Sequence, residues 1–538
     1  MRPRPLRPNA SAPRWSGWGN VIPALSRDPP FLRNGGKEGR PRIKSGVTRG
    51  TALADAATQR GPRGDLTQGP ISSTLLKFAL PTLASSIIQS LNGTVNAICV
   101  GRLIGEDALA ATSNANMVMF LLTAFVFGFG MASTILIGQA WGRKDVKAAR
   151  QVFGTAAGAF GLATIGIAAA GYFLSHSILA LLGTPAEATP LAHAYLSVIF
   201  LAMPPLLLLT LMMMALRGTG DSMTPLWFMI LSVVLDSSLN PVFILGLGPA
   251  PRMGIAGAAF STLLANYVAF FGLIAYIYWK DLPLRLRGPE LRYFWCDLAI
   301  LRTIIVKGFP MGLQMIVISL SALALVGMVN REGVDTAAAF GVAMQLWTYV
   351  QMPAMALGAA VSAMVAQNIG AGKWDRVGAV TRVGIVQTLA ITGGLIVLMT
   401  LADRAMLALF MGGGSPALPI ARHIHVLATW NFLLFGVMMV LFATVRANGA
   451  VWAPLIILAI GVIPIRFGWI FATYGWLGAD AIWTSFPVTS FINLALALAY
   501  YLQGGWKKAR MAAQPDADEL LEEAEATREP GGALNPAG

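Results

Sequence analysis

Apolar residues along this 538-residue chain fall in long runs separated by short polar breaks. Twelve runs stand out, at about 76–99, 115–139, 152–175, 191–215, 223–247, 255–279, 303–328, 337–365, 380–402, 424–446, 452–475 and 479–502. Each is close to the roughly 20 residues with which an α-helix crosses the hydrocarbon core of a bilayer. Gly and Pro inside the runs fit this reading, because membrane helices carry both more often than soluble helices do. A transmembrane barrel would need shorter segments of strict alternation, so it is excluded. The pattern predicts an all-α membrane protein with twelve transmembrane helices.

A second periodicity is superimposed on the first. Pro81 and Pro310 open the first and seventh runs. Gly105-Glu106-Asp107-Ala108-Leu109-Ala110 resembles Gly333-Val334-Asp335-Thr336-Ala337-Ala338, and Gln139-Ala140-Trp141-Gly142 resembles Gln367-Asn368-Ile369-Gly370. Arg217-Gly218-Thr219-Gly220 with Pro225 resembles Arg446-Ala447-Asn448-Gly449 with Pro454. Six runs per unit is an even number, so both units share one orientation. Two six-helix parallel repeats around a central cavity are expected, related by an axis along the membrane normal, and this architecture suggests transport by alternating access.

Composition sharpens the picture. Hydrophobic residues make up 56% of the chain and charged residues 12%. That is about half the usual charged share of a soluble domain, and disorder needs low hydrophobicity. The formal net charge of +14 is unevenly placed. Residues 1–70 hold thirteen Lys/Arg against four Asp/Glu, whereas residues 505–538 hold four against seven. The first segment has no apolar core of a signal peptide and is expected to be a disordered basic leader. The last is expected to be an acidic tail with a short helix around Asp518–Glu525. The lobes between them are expected at 71–290 and 291–504. The basic excess is therefore no sign of nucleic-acid binding. Lys and Arg are roughly threefold more abundant in one alternate set of loops, which predicts both termini in the cytoplasm. Cys99 and Cys296 build no disulfide framework. His423 and His425, two apart, point to different faces of a helix, so no metal site is expected.

Charge inside the predicted spans is scarce. Such charges cost a few kcal/mol and usually face a cavity. Two lie well inside: Asp236 in the fifth run and Arg466 in the eleventh. Ser232, Asp236 and Asn240 share one helix face, and the first run has its own stripe of Ser85, Gln89, Asn92 and Asn96. Counted through the repeat, Asp236 falls opposite Ile465, Asn240 opposite Trp469, and Asn96 opposite Ala324 or Leu325. The polar cluster is thus expected in the first half only. Two readings stand: a site that loads and releases a coupling cation, or a hydrogen bond that ties two helices together. Arg466 is expected to snorkel to an interface, or to pair with Asp236 or a helix terminus.

The stretch Leu216-Arg217-Gly218-Thr219-Gly220-Asp221-Ser222-Met223-Thr224-Pro225 resembles the loop between helices 4 and 5 of the multidrug and toxic compound extrusion (MATE) transporters. Asn240-Pro241-Val242-Phe243-Ile244, Gly254-Ile255-Ala256-Gly257-Ala258-Ala259 and Gln367-Asn368-Ile369-Gly370-Ala371-Gly372 are similar to that family as well. The resemblance covers residues 71–504. It implies export of cationic or amphipathic compounds in exchange for H⁺ or Na⁺. It also implies that Asn96 stands where many relatives carry an Asp. The family's Asn-then-Asp order in helix 5 is reversed here, with Asp236 first and Asn240 before Pro241. Thr262 matches a Thr near that site, and Pro81 matches a Pro linked to bending of helix 1. Acidic positions of another branch fall near Ile318 and Phe435, which have no carboxylate.

The expectation is an inner-membrane antiporter, not an enzyme, with no catalytic residues and no cofactor beyond the coupling ion. Asp236, Asn240, Asn96 and Thr262 would form the ion site, with Pro81, Gln89 and Asn92 on the bending first helix. Met315, Gln345, Phe435 and Arg466 would line a substrate cavity. H⁺ is favoured over Na⁺, because a proton needs only one carboxylate. The expected partners are amphipathic small molecules and the lipid bilayer, with the protein a monomer. The alternative is a lipid-linked saccharide flippase of related architecture.

Overall fold

A computed structural model describes residues 64–181, 189–412 and 414–511. The first half holds α1 (Ile71–Leu103), α2 (Glu106–Gly142), α3 (Val146–Leu181), α4 (Thr189–Gly218), α5 (Met223–Leu245) and α6 (Ile255–Trp279). The second holds α7 (Leu298–Val329), α8 (Val334–Gly370), α9 (Trp374–Leu401), α10 (Asp403–Met411), α11 (Leu418–Ala428), α12 (Asn431–Ala447), α13 (Trp452–Ile460), α14 (Arg466–Leu477) and α15 (Asp480–Gln503). A π-helical turn, Gly461–Ile465, joins α13 to α14 into one span. Among the described residues eleven spans are long and apolar enough to cross a bilayer, and α11 with α12, bent by 43°, makes the twelfth. This is the all-α membrane fold that the apolar runs predict.

The halves meet where α2 packs on α7 and α8, and α1 on α8. Small residues permit the approach, as they do between membrane helices generally. A Cβ on Gly128 of α2 would collide with the backbone of Gly308 and Gly312 on α7. Near the ends of α2 and α8 the seam becomes reciprocal. A Cβ on Gly142 would strike the Gln367 carbonyl, and one on Gly370 would strike the Gln139 carbonyl. The two glutamines, both fully buried or nearly so, cross over in the same way. Gln139 Nε2 donates to the Ala447 carbonyl of the second half at 2.7 Å, and Gln367 Nε2 donates to the Gly218 carbonyl of the first at 3.0 Å. Each repeat thus caps the end of the other.

Both terminal boundaries shift from the expected ones. Residues 65–69 do not belong with a free leader, because the Leu66 side chain is buried and its amide donates to Gln367 Oε1 at 2.9 Å. Lys373 Nζ donates to the Thr67 carbonyl, and Arg376 to those of Gln68 and Gly69. This strap ties the start of α1 to the second half. At the other terminus Trp506 is buried against Tyr501, and Asn448 Nδ2 donates to the carbonyls of Trp506 and Ala509. The body therefore runs on to Met511, which is also buried. The rest of the leader and the Asp518–Glu525 helix lie outside the described residues.

The reciprocal contact leaves no room for side-chain atoms. Gly142→Val is expected to lower stability by about 1–3 kcal/mol, read as a lower apparent Tm of the detergent-solubilised protein. Gly161→Val, with nothing within 4 Å of the added Cβ, is the control and should shift Tm far less.

Candidate cation site in the first half

Asp236 sits near the middle of α5 with 3% of its surface exposed. Ser232 and Asn240, one turn to either side, are buried with it, as their shared face predicts. α1 and α5 run parallel and in register. Asn92 Nδ2 donates to Asp236 Oδ2 at 2.9 Å, and one turn further Asn240 Nδ2 donates to Asn96 Oδ1 at 2.9 Å. From α6, Ser261 Oγ and Thr262 Oγ1 each donate to Asp236 Oδ1 at 3.0 Å. Every oxygen of the carboxylate is thus held by neutral donors, and among the described residues no cation forms an ion pair with it.

The sequence-derived residues divide. Asp236, Asn240, Asn92, Asn96 and Thr262 come together. Gln89 does not: it is exposed, and at its level α5 presents Ser232, whose hydroxyl points to Asn266 of α6 at 3.4 Å. Pro81 is buried in α1, where its carbonyl accepts from Ser85. Sequence reading missed Ser261 and Asn266, although together with Thr262 they form a polar patch in an otherwise apolar run. It also missed Ser237, which reaches Asn92 Oδ1 at 3.3 Å. Asn240 Oδ1 is buried and has no partner, which leaves an oxygen ligand free beside the carboxylate.

In the second half the repeat count needs correction. A π turn holds one residue more than an α turn, and such turns recur at functional sites. The turn at Gly461–Ile465 therefore moves the register on by one, and Arg466, not Ile465, takes the place of Asp236. Asn240 then falls opposite Ile470 instead of Trp469. Ile470 is fully buried in the apolar cluster that holds Leu325. An apolar pair thus replaces the Asn240–Asn96 hydrogen bond.

Arg466 neither snorkels to an interface nor pairs with Asp236. Its Nη1 lies 3.4 Å from Ser321 Oγ of α7, and its guanidinium stacks 4.8 Å from the Phe486 ring of α15. Phe435 joins the same aromatic cluster through Phe432. Gln345 does not line this region: it is exposed on α8, where its Nε2 reaches the Tyr349 hydroxyl at 3.3 Å. Met315 is half-buried on α7, one and a half turns before Ser321. His423 bonds Asp480 and His425 bonds Thr429, so the two rings do diverge. Among the described residues no three His, Cys, Asp or Glu side chains converge on a metal-sized site.

The family model MatE matches residues 81–242 and 310–470, one match in each half. The probable multidrug resistance protein YoeA of Bacillus subtilis is 36% identical over 436 residues, which cover 81% of this chain and 94% of that protein. The probable multidrug resistance protein NorM of Bradyrhizobium diazoefficiens is 26% identical over 78% of this chain and 91% of its own length. Among solved structures, an outward-facing conformation of a multidrug resistance MATE family transporter superposes with a TM-score of 0.76 at 19% identity, covering 84% of this chain and all of that one. Paired matches across both six-helix halves, and near full-length similarity to a relative, place this chain in the MatE family of membrane transporters.

Proposed function

We propose that the protein exports amphipathic or cationic small molecules in exchange for H⁺, with Asp236 as the proton carrier. The supporting observation is a buried carboxylate held only by neutral donors from two other helices. A proton on Oδ1 turns that oxygen from acceptor to donor, and the two hydroxyls facing it can accommodate the change. Ser261 Oγ and Thr262 Oγ1 already share the Ala258 carbonyl as a second acceptor, at 2.8 and 3.3 Å. One of them can turn to it and accept from the new O–H, while the other keeps donating to Oδ1. The Asn92 amide has no such freedom at Oδ2, because its NH₂ group only donates. The charge state of Asp236 thereby bears on the grip between α1 and α5, and Pro81 in α1 offers a place for that helix to bend.

In this reading the halves, about 71–290 and 291–504, rock about their glycine seam. The protein works as a monomer in a bacterial inner membrane with both termini in the cytoplasm, which the Lys/Arg-rich loops support. H⁺ is preferred to Na⁺ because one carboxylate suffices. A pH difference of one unit supplies about 1.4 kcal/mol per proton, enough for about tenfold accumulation of a monovalent cation by one-for-one exchange. The names of the relatives from Bacillus and Bradyrhizobium support xenobiotic substrates.

In proteoliposomes, an imposed pH gradient is expected to drive uptake of a cationic dye, and an equal Na⁺ gradient at symmetric pH is not. Stronger driving by Na⁺ would assign the site to that ion instead. Asp236→Asn keeps the size of the side chain but removes the titrating group. It is expected to bring gradient-driven transport down to the level of protein-free vesicles while dye binding persists. Proton-driven transport at the wild-type rate in this variant would remove Asp236 from the mechanism.

A further inference from the structure

The two halves place opposite charges at equivalent points. Gly254 and Gly478 precede α6 and α15 with nearly the same backbone, φ 57° and ψ −131° against φ 56° and ψ −135°. Counted from these glycines, Thr262 corresponds to Phe486 and Ser261 to Ser485. Counted from Pro81 and Pro310, Asn92 corresponds to Ser321. Asp236 touches Asn92 and Thr262, and Arg466 touches Ser321 and Phe486. Two pairs of positions, Asn92 with Ser321 and Thr262 with Phe486, on two neighbouring helices of each half, thus agree that Arg466 is the counterpart of Asp236.

The resemblance stops at chemistry. Asp236 is surrounded by donors, as an anion requires. Arg466 has one hydroxyl and one aromatic face, its Nε is buried without a partner, and among the described residues no carboxylate stands within ion-pair distance. The Ser321 hydroxyl donates to the Val462 carbonyl at 3.2 Å, a group of the π turn. That leaves the hydroxyl oxygen as acceptor for the guanidinium and steadies the turn. Phe486 packs in turn on Trp347 and Phe340, with ring centroids 5.0 and 6.5 Å away. A guanidinium held over an aromatic ring, with one Nη1 proton on Ser321, retains further N–H groups along its Nη1–Nη2 edge for an anionic acceptor. A cation inside a membrane bundle is costly unless something pairs with it, and nothing described in this chain does.

We propose that Arg466, Ser321 and Phe486 form an anion-binding subsite in the second half. Its ligand is the carboxylate, sulfonate or phosphate group of an aromatic amphiphile that the transporter carries. The subsite deepens the export reading, since it names a substrate class, and it takes no part in proton binding at Asp236. Rhodamine 110 and its methyl ester rhodamine 123 share one cationic ring system and differ in a free carboxylate, so they report on the subsite directly. Equilibrium binding to the purified full-length protein in detergent is read by fluorescence anisotropy, with no gradient present. Loss of proton coupling would therefore sink the export reading and leave this measurement intact.

Wild-type protein is expected to bind the acid more tightly than the ester. Arg466→Gln should weaken the acid about 10- to 100-fold, as loss of a charge-assisted hydrogen bond does, and leave the ester within about twofold. Arg466→Lys should fall between, because it keeps the charge and loses the planar fork. Ser321→Ala should reduce the acid-to-ester ratio more mildly, and it carries the test if the Gln variant does not fold. Equal affinity of the wild type for the two dyes, or a parallel loss of both in the variants, would overturn the proposal.

Discussion

A polar group inside a bilayer has no water to turn to, and the unusual features of this protein follow from how each one is satisfied. Asp236 is accommodated because α1 and α6 bring three neutral donors to its two oxygens. The seam glutamines are accommodated because each finds a carbonyl at the helix end of the opposite half. The π turn is accommodated because Ser321 takes up a carbonyl there. Arg466 Nε is among the groups whose hydrogen-bonding capacity is unmet inside the bundle, as are Arg217 Nε and Asn240 Oδ1.

The seam bears on how the fold can move. Its contacts at Gly142 and Gly370 are backbone against backbone, with glutamines crossing beside them. Such a contact has little give, because at these two glycines no side chain lies between the facing backbones to absorb a small displacement. It is made or broken as a unit, which suits two discrete arrangements better than a continuum. The strap at Leu66 adds a tie to the same end, through the side-chain oxygen of Gln367, which accepts from the Leu66 amide. The Asp236 site meets this seam through α1, and through α4, whose Gly218 carbonyl accepts from Gln367 and which packs on α6. α1 packs on α5 at the site and on α8 in the other half, so it is one element through which a change at Asp236 can reach the seam.

Much of this was legible in the sequence. Length and hydropathy alone give the spans, because the bilayer fixes how long a helix must be. A four-residue spacing puts Ser232, Asp236 and Asn240 on one face without any knowledge of their neighbours. What faces them was harder to read. Gln89 fits the polar stripe of α1 by spacing yet stands outside the cluster, since spacing does not say where the partner helix offers a polar group. Ser261 and Asn266 were hidden because small hydroxyl and amide residues are ordinary in membrane helices, and only contact with a carboxylate distinguishes them. The strap was hidden because its few apolar residues look like linker and acquire meaning only against Gln367.

The counterpart of Asp236 was misread for a more instructive reason. A repeat offset taken from flanking motifs assumes that every turn between them is α-helical. Gly461–Ile465 breaks that assumption by one residue, and one residue rotates a helix face by about 100°. The uncorrected count puts an isoleucine opposite the carboxylate and makes the second half look inert. With the π turn included, an arginine stands there, and apolar Ile470 and Leu325 replace the amide pair that flanks Asp236 in the first half. The same backbone frame thus carries a small polar cage on one side and a cation against an aromatic wall on the other. A proton fits the first, because it is small and needs only oxygen. The second offers a guanidinium beside an aromatic ring, the chemistry of an organic-anion site, and on the proposed assignment the duplicated fold divides ion and cargo between its halves.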